Sequence, residues 1–434
     1  MKKAEGRKQK AEMVFARGTF LLSAFCFLLL TCSGAQQHPS LKFWGLGREG
    51  EVVAQMMPEF ERRTGIHVDV QQIPWTAAHE KLLTGFVGNG SPDIAQMGNT
   101  WIPEFVAIHA IEDLTPRLAS SSIRRENYFP GIWATNEVGD HLYGVPWYVD
   151  TRVLFYRTDL LASAGVARTP RTWSEWVDAM QKLKARGEAR FAILLPTNQW
   201  EEPTILAMQN GATLLRDGDR SGAFEQPEFL QAFRFYVDLF NKGYAPKVSS
   251  TQIANVYQGF EQGDFAMYMT GPWNVGEFRN RLSPAMNGKW ATTPLPAPDG
   301  KPWPGVSMAG GSSLVIFRDS NKKDAAWKLI EFLSEPEQQK KFYELTRDLP
   351  AHRAAWGAHG LADDPQVVSF LQQLERVQPL PRVPEWEQIA TRIYEHAEEA
   401  VRGRRTVEQA AADLDQKADD ILAKRRWVLA REAR

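Results

Sequence analysis

Cysteine is almost missing from this sequence. Its 434 residues hold two, Cys26 and Cys32, both near the N-terminus. The rest of the chain can therefore form neither an internal disulfide nor a cysteine-based zinc site. No H-E-x-x-H pair occurs, and the 8 histidines are scattered, so no metal site is expected. Neither sign of charge is in excess: 51 Lys and Arg stand against 52 Asp and Glu, for a net charge of -1. Bulk electrostatics thus favours neither nucleic acid nor an anionic membrane. Gly305-Val306-Ser307-Met308-Ala309 misses the G-x-S-x-G nucleophile elbow by its last residue. There is no internal repeat and no low-complexity tract.

What is present is a normal globular balance, 43% hydrophobic and 24% charged, over a length that suits two lobes with sizeable cores. The composition has one excess, 15 tryptophans. A core needs a few, and the surplus suggests flat apolar faces turned toward a ligand. The first 31 residues read as an export signal, with Lys2, Lys3, Arg7, Lys8, Lys10 and Arg17 preceding the apolar run Thr19 to Thr31. Leu29-Leu30-Thr31-Cys32 resembles a lipobox, which makes Cys32 the expected lipidation site. Ser33-Gly34-Ala35 offers a competing cleavage site, and an uncleaved anchor is the third reading. All three place the folded part outside the cytoplasm, in a periplasm or on the cell-envelope exterior, with 32–40 as a tether.

From Leu41 the pattern is α/β. Leu41 to Trp44 is a strand, Glu51 to Arg63 carries apolar residues at helical spacing, and Ile66 to Val70 alternates as a strand. This β-α-β start is the signature of a parallel sheet with a crossover helix. Ala77 to Gly88 is the next helix, and Pro92 to Gln96 the next strand. Leu142 to Tyr156 reads as two strands meeting at Tyr148-Val149-Asp150. Thr172 and Glu175 form a capping box for a helix to Arg186, Phe191 to Leu195 is a strand, and Glu228 to Lys242 an amphipathic helix. Pro294 to Pro304, with five prolines, reads as a loop crossing between lobes. Ser313 to Phe317 is a strand, followed by helices over 321–334 and 335–347. Beyond Ala362 the chain reads as wholly helical, interrupted at Pro379 to Pro384, with Thr406 and Gln409 capping the last helix.

Four segments carry a family resemblance. They are YGVPWYVDTRVLFYRTDLL from Tyr143 with PRTWSEW from Pro170, Gly263 to Met267 leading to Gly271-Pro272-Trp273, Met308 to Ser312, and Ala325 to Phe332. In this order and spacing the chain, from about residue 41 to about 425, resembles the extracellular solute-binding proteins of the maltose and trehalose import family. The resemblance implies an α/β fold of two lobes, with a hinge and a ligand cleft between them. Lobe one would hold 41–149 and 306–365, and lobe two 150–305 and 366–434. It also implies capture of a sugar without catalysis, no cofactor, membrane permease subunits of an ATP-driven importer as partners, and a monomer touching the membrane only through a lipid.

A pyranose offers C–H faces that pack on aromatic rings and hydroxyls that need partners at fixed angles. An unpaired buried hydroxyl costs about 1–3 kcal/mol, so a sugar site combines aromatic platforms with carboxylates, amides, guanidinium groups and backbone N–H. Alternation along the strand points Tyr148 and Asp150 to one face, an aromatic platform beside a hydroxyl acceptor. Gly45 to Glu51 follows the first strand, where an open parallel sheet presents ligands. Its glycines invite a phosphate-loop reading, but the G-x-x-x-x-G-K-[ST] pattern is missing and no nucleotide is expected. Arg48 and Glu49 are the hydroxyl partners there, with charge at a helix start as the structural alternative. Asn99 and Trp101 follow the third strand, and Trp200 and Glu201 follow the strand near 195. Trp273 is a stacking platform or a hydrophobic staple. Gly310 and Gly311 admit backbone to the ligand or mark a bulge. Two departures from the family stand out: relatives often carry an aromatic where Ser312 stands, and an arginine where Leu380 stands. Arg382, two residues on, and Trp386 in the aromatic place are the corresponding expectations.

Three other readings remain open. A non-sugar solute such as glycerol phosphate or a polyamine would fit the same architecture. An extracytoplasmic glycosidase would draw carboxylates from Asp150, Glu201 and Glu202. A structural or adhesion protein would show no saturable small-ligand binding.

Overall fold

The computed structural model describes residues 40–187, 189–357 and 360–432. The expected export signal, the lipidation site Cys32 and nearly all of the tether lie outside these described residues. Among the described residues no helix is long and apolar enough to cross a membrane.

The chain begins β-α-β as the periodicity predicts. Ser40–Leu46 and His67–Ile73 pair in parallel, Leu41 opposite Val68 and Phe43 opposite Val70. The single crossover helix expected over 51–63 is two, Gly47–Val53 and Met57–Thr64. Pro58 lies in the first turn of the second helix, where a missing N–H leaves no bond unmade, so a new helix starts there and the old one does not run through. Val52, Val53, Met56, Met57 and Phe60 are all buried, at about 1.5–3 kcal/mol for each large side chain taken from water. Gly65, at φ 70, ends the second helix with its N–H on the Glu61 carbonyl.

Six strands complete the first sheet, in the order Leu349–Pro350, Val145–Asp150, Gly310–Ile316, Ile94–Gly98, Ser40–Leu46 and His67–Ile73. Gly310–Ile316 runs antiparallel to both neighbours, and its register shifts between Ser312 and Ser313 against Val145–Asp150. The second sheet has four strands, ordered Trp290–Thr293, Val153–Arg157, Phe265–Thr270 and Phe191–Leu194. Together they make the two-lobed α/β architecture.

The chain passes from the first sheet to the second between Asp150 and Val153. The turnover point is thus two residues beyond the expected one, and Tyr148, Val149 and Asp150 all remain in the first strand. The proline-rich loop does not itself cross back. Ala297 donates to Arg171 O at 2.9 Å, and Gly305 donates to Leu295 O at 2.9 Å, so the loop folds against the segment before helix Trp173–Arg186. The return to the first sheet follows it. There Ser307–Met308 pairs with Val377–Gln378, a short strand in the stretch expected to be wholly helical.

Two caps differ instructively. At Thr406 the box is complete: Gln409 N donates to Thr406 Oγ1 and Thr406 N to Gln409 Oε1, each at 3.1 Å. At Thr172 only half forms. Glu175 N donates to Thr172 Oγ1 at 3.2 Å, but the Glu175 carboxylate accepts from Arg171 N at 2.8 Å instead.

Candidate functional site

The ends of both sheets face one cleft of about 500 Å³. Its walls come from loops at the carboxyl ends of parallel strands, where an open α/β sheet leaves backbone groups and side chains free for a ligand. From the first sheet, Ser40–Leu46 leads to Glu49, His67–Ile73 to Trp75, and Ile94–Gly98 to Asn99, Thr100 and Trp101. From the second, Phe191–Leu194 leads toward Trp200 and Glu201, and Phe265–Thr270 to Pro272 and Trp273. The crossing strands add Tyr148, Asp150, Arg152, Met308, Gly310 and Gly311, and Asp348 closes one side.

Three of the cleft's tryptophans sit in glycine notches. A Cβ on Gly98 would stand 3.2 Å from the Trp101 ring, one on Gly271 would stand 1.9 Å from the Trp273 ring, and one on Gly47 would stand 2.4 Å from the Trp75 ring. Each indole therefore lies directly on backbone. Trp101 is also met edge-on by Trp75, ring centroids 5.7 Å apart, and by His79 at 5.1 Å. Trp273 keeps 41% of its surface exposed, so one face is open to the cleft. Gly311 has a different constraint. At φ 126, a Cβ there would lie 2.3 Å from Tyr148 O, so the position needs glycine for the close approach of the crossing strands.

Where the chain crosses between the sheets, Arg152 organises the acids. Its Nη1 donates to Asp150 Oδ1 at 2.7 Å and Oδ2 at 2.9 Å, and its Nη2 to Glu201 Oε1 at 2.8 Å. The guanidinium carbon lies 4.7 Å from the Trp273 ring centroid. Burial alone would lower the Arg152 pKa, but the charges of Asp150 and Glu201 outweigh it and hold it above its usual range. Beside this group, burial and the charge of Glu201 push the Glu202 carboxyl up to about 8. Among the described residues Glu202 Oε2 meets no hydrogen-bond partner.

The wall of the first sheet is different. Glu49 accepts from Tyr148 Oη and from Trp75 Nε1, both at 3.2 Å. Tyr148 Oη in turn receives Gln96 Nε2 at 3.3 Å, and Gln96 Oε1 takes Leu46 N at 2.7 Å. Burial raises the Glu49 carboxyl above its ordinary value despite these bonds. Burial and the neighbouring Glu49 charge raise Asp348 well above its own. Burial, then Glu49, does the same to the Tyr148 hydroxyl.

Of the residues singled out from sequence, Glu49, Asn99, Trp101, Tyr148, Asp150, Trp200, Glu201, Trp273, Gly310 and Gly311 meet at this cleft. Three do not. Arg48 points outward, its Nη2 3.4 Å from Leu345 O. Arg382 lines a small recess next to Asn99 and Thr100, and spends its Nη1 on the carbonyls of Ala134 at 3.2 Å and Glu137 at 2.9 Å. Trp386 is buried at 1%, edge-on beneath Trp200 with centroids 5.7 Å apart, so it supports a wall without forming one. Ser312 is also buried and donates to Met97 O at 3.0 Å.

Trp75, Arg152 and Asp348 went unassigned in the sequence. Arg152 was within reach, because it follows Asp150 by two along an extended segment and shares its face. Trp75 follows a parallel strand, as Glu49 and Asn99 do. The glycines 45, 47 and 50 do stand at the G-x-G-x-x-G spacing of a dinucleotide turn. Here they let helix approach strand, since a Cβ on Gly45 would lie 2.4 Å from Gly50 Cα. The carboxyl of Glu49 occupies the first helical turn, where a pyrophosphate would be repelled.

A family model described as bacterial extracellular solute-binding protein matches residues 44–340. Among solved structures, the sugar-binding protein MalE from the phytopathogen Xanthomonas citri matches with a TM-score of 0.87 at 48% identity, covering 90% of this chain and 99% of that one. An ABC transporter solute-binding protein from Thermotoga lettingae, bound with alpha-D-tagatose, matches with a TM-score of 0.73 at 27% identity, covering 88% and 100%. A galactooligosaccharide-binding protein of Bacillus subtilis is 26% identical over 430 residues, 92% of this chain and 95% of that one.

Proposed function

This chain belongs to the bacterial extracellular solute-binding protein family, and from that premise we propose that it captures an oligosaccharide for an ATP-driven importer, with a maltose- or trehalose-like α-glucoside as the favoured ligand. The observation that carries this reading is the meeting of indoles from both sheets, Trp101 and Trp75 with Trp273 and Trp200, in one cleft that also holds carboxyl groups. Rings on two sides suit the two C–H faces of a pyranose, and the acids suit its hydroxyls. The 48% identity to a sugar-binding protein supports the same class of ligand.

The mechanism is capture. Lobes joined at the Asp150–Val153 and Ser307–Gly310 crossings rotate about them, and a sugar that touches both walls favours the closed form. Only contacts made to both walls at once shift that balance. The closed, loaded protein then docks on the permease, as a monomer held to the envelope by a lipid on Cys32. Acylated Cys32 is the expected result in mass spectrometry of the membrane-associated protein, and an N-terminus at Gln36 would contradict it.

The cleft's charge argues against a phosphate ester. Among the described residues, Glu49, Asp150, Glu201 and Asp348 line it with Arg152 as the one guanidinium, and that group is already engaged by two of the acids. The hydrolase reading is also poorly served. Asp150 and Glu201 are both bonded to Arg152, and Glu202, the protonated carboxyl, is not among the cleft's walls. Titration calorimetry with maltose, trehalose, sucrose, glucose and glycerol 3-phosphate tests the reading. Binding of maltose or trehalose at micromolar strength or tighter is expected. A panel in which only the phosphate ester binds would sink it.

A further inference from the structure

Resting on that reading, we propose that Arg152 is the positioning residue of the cleft, fixing Asp150 and Glu201 as hydroxyl acceptors and backing the Trp273 platform, so that it sets the affinity for saccharide without itself being the main contact. Asp150, at the end of a first-sheet strand, converges with Glu201 and Trp273 of the second-sheet wall on one guanidinium. One nitrogen spans both oxygens of Asp150, a second holds Glu201, and the guanidinium carbon lies 4.7 Å from the Trp273 ring centroid. Only 8% of the Arg152 side chain is exposed, so the bonds form away from competing water.

The geometry needs arginine. A planar fork with five donors can serve two carboxylates and stack on an indole together, whereas an ammonium is a point charge on a flexible stem. Each carboxylate has about four acceptor directions, and Arg152 leaves some of them on Asp150 and Glu201 unused. These can meet ligand hydroxyls from carboxylates whose orientation is already fixed. Without the guanidinium, two like charges would have to be ordered by the ligand, and that ordering subtracts from affinity.

Arg152 also sits where the chain changes sheets. Its N–H donates to Ser307 Oγ at 3.2 Å, and Ser307 Oγ donates back to Arg152 O at 3.1 Å. Both crossing segments are thus joined at the residue that carries the wall. The platform and its acceptors are consequently referenced to the hinge rather than to a surface loop.

The test compares the full-length protein with Arg152→Met and Arg152→Lys, using maltose and trehalose as probes in calorimetry at about pH 7.5 and about pH 5.5, with thermal melting as the folding control. Arg152→Met is expected to lose about 10- to 100-fold in affinity, and Arg152→Lys to recover part of it. Carboxylates deprived of their counter-charge take up protons more readily, so affinity in Arg152→Met should fall more steeply toward acid than in the unmodified protein. A merely structural role would not alter that slope. A folded Arg152→Met protein with affinity within about twofold and a parallel pH profile would overturn the proposal. If Arg152→Met does not fold, Arg152→Lys decides by affinity alone, a loss of more than about twofold being expected and an unchanged affinity overturning the proposal. If the unmodified protein binds neither sugar, the proposed ligand class fails, and this inference is judged on the ligand-free crystal structure of Arg152→Lys. Displacement of Glu201 and the Trp273 ring is expected there, and their unchanged positions would refute it.

Discussion

Glu49 and Asp348 lie on the first-sheet wall with no ion pair among the described residues, while Asp150, at the end of the crossing strand, and Glu201, on the opposite wall, share Arg152. Both walls offer acids beside indoles, yet burial acts on them differently. On the first wall it lifts the carboxyls above their ordinary range. On the second it tightens bonds to a guanidinium, because a buried pair with good geometry is screened little by water. One wall is therefore braced by an ion pair, while on the other burial favours the protonated carboxyl. A sugar would find fixed acceptors on one side and carboxyls favoured in the neutral form on the other.

The largest expected effect falls on the braced wall. Trp273→Ala should weaken saccharide binding at least tenfold, about 1.4 kcal/mol, measured by calorimetry. Unchanged affinity would return Trp273 to a packing role. Glu202 lies beside that wall without lining the cleft, and tests how burial acts there. Its carboxyl, raised to about 8, is protonated in the folded state and ionised in the unfolded chain near neutrality. Folding therefore takes up a proton, and stability drops as pH rises from the unfolded value through about 8. Thermal melting across pH should show this decline in the unmodified protein and a flatter profile in Glu202→Gln.

Asp348 probes the first-sheet wall by the same sign. Its raised carboxyl costs stability once ionised, so Asp348→Asn should raise the melting temperature by about 1–3 °C at pH 8. That gain should vanish below the ordinary aspartate range, about pH 4. A gain independent of pH would break the contrast between the walls. The smallest effect is expected for Trp75→Ala, about threefold in affinity (under 1 kcal/mol). That ring is 37% exposed and meets Trp101 only by its edge. A loss equal to that of Trp273→Ala would mean that bracing does not matter.

The alternation and helical spacing in the sequence located the strands and most helices, because burial on one face imposes a period on the order of apolar residues. Breaks were harder to read. Pro58 divides a helix whose apolar spacing continues across it, and the proline-rich loop folds back where its prolines suggested a crossing. For the site, the rule that ligands gather at carboxyl ends of strands found Glu49, Asn99 and Trp101 together with their neighbourhood. It could not separate Trp200 from Trp386, since one lies on top of the other and only packing decides which is covered. Arg382 was drawn away by two backbone carbonyls of a distant segment. Asp348 reaches the cleft after Arg347, a residue at φ 71, and no periodicity announces such a turn.

The notches at Gly98 and Gly271 have a consequence for the speed and economy of recognition. An indole seated on bare backbone has few alternative poses, so the loss of its rotational freedom is incurred during folding. A visiting sugar need not arrest a swinging ring, which elsewhere costs about 0.5–1.5 kcal/mol for each side chain stilled. Enlarging either glycine would turn a resting surface into a wobbling one, and the deficit should appear as faster ligand escape before any change in what is recognised.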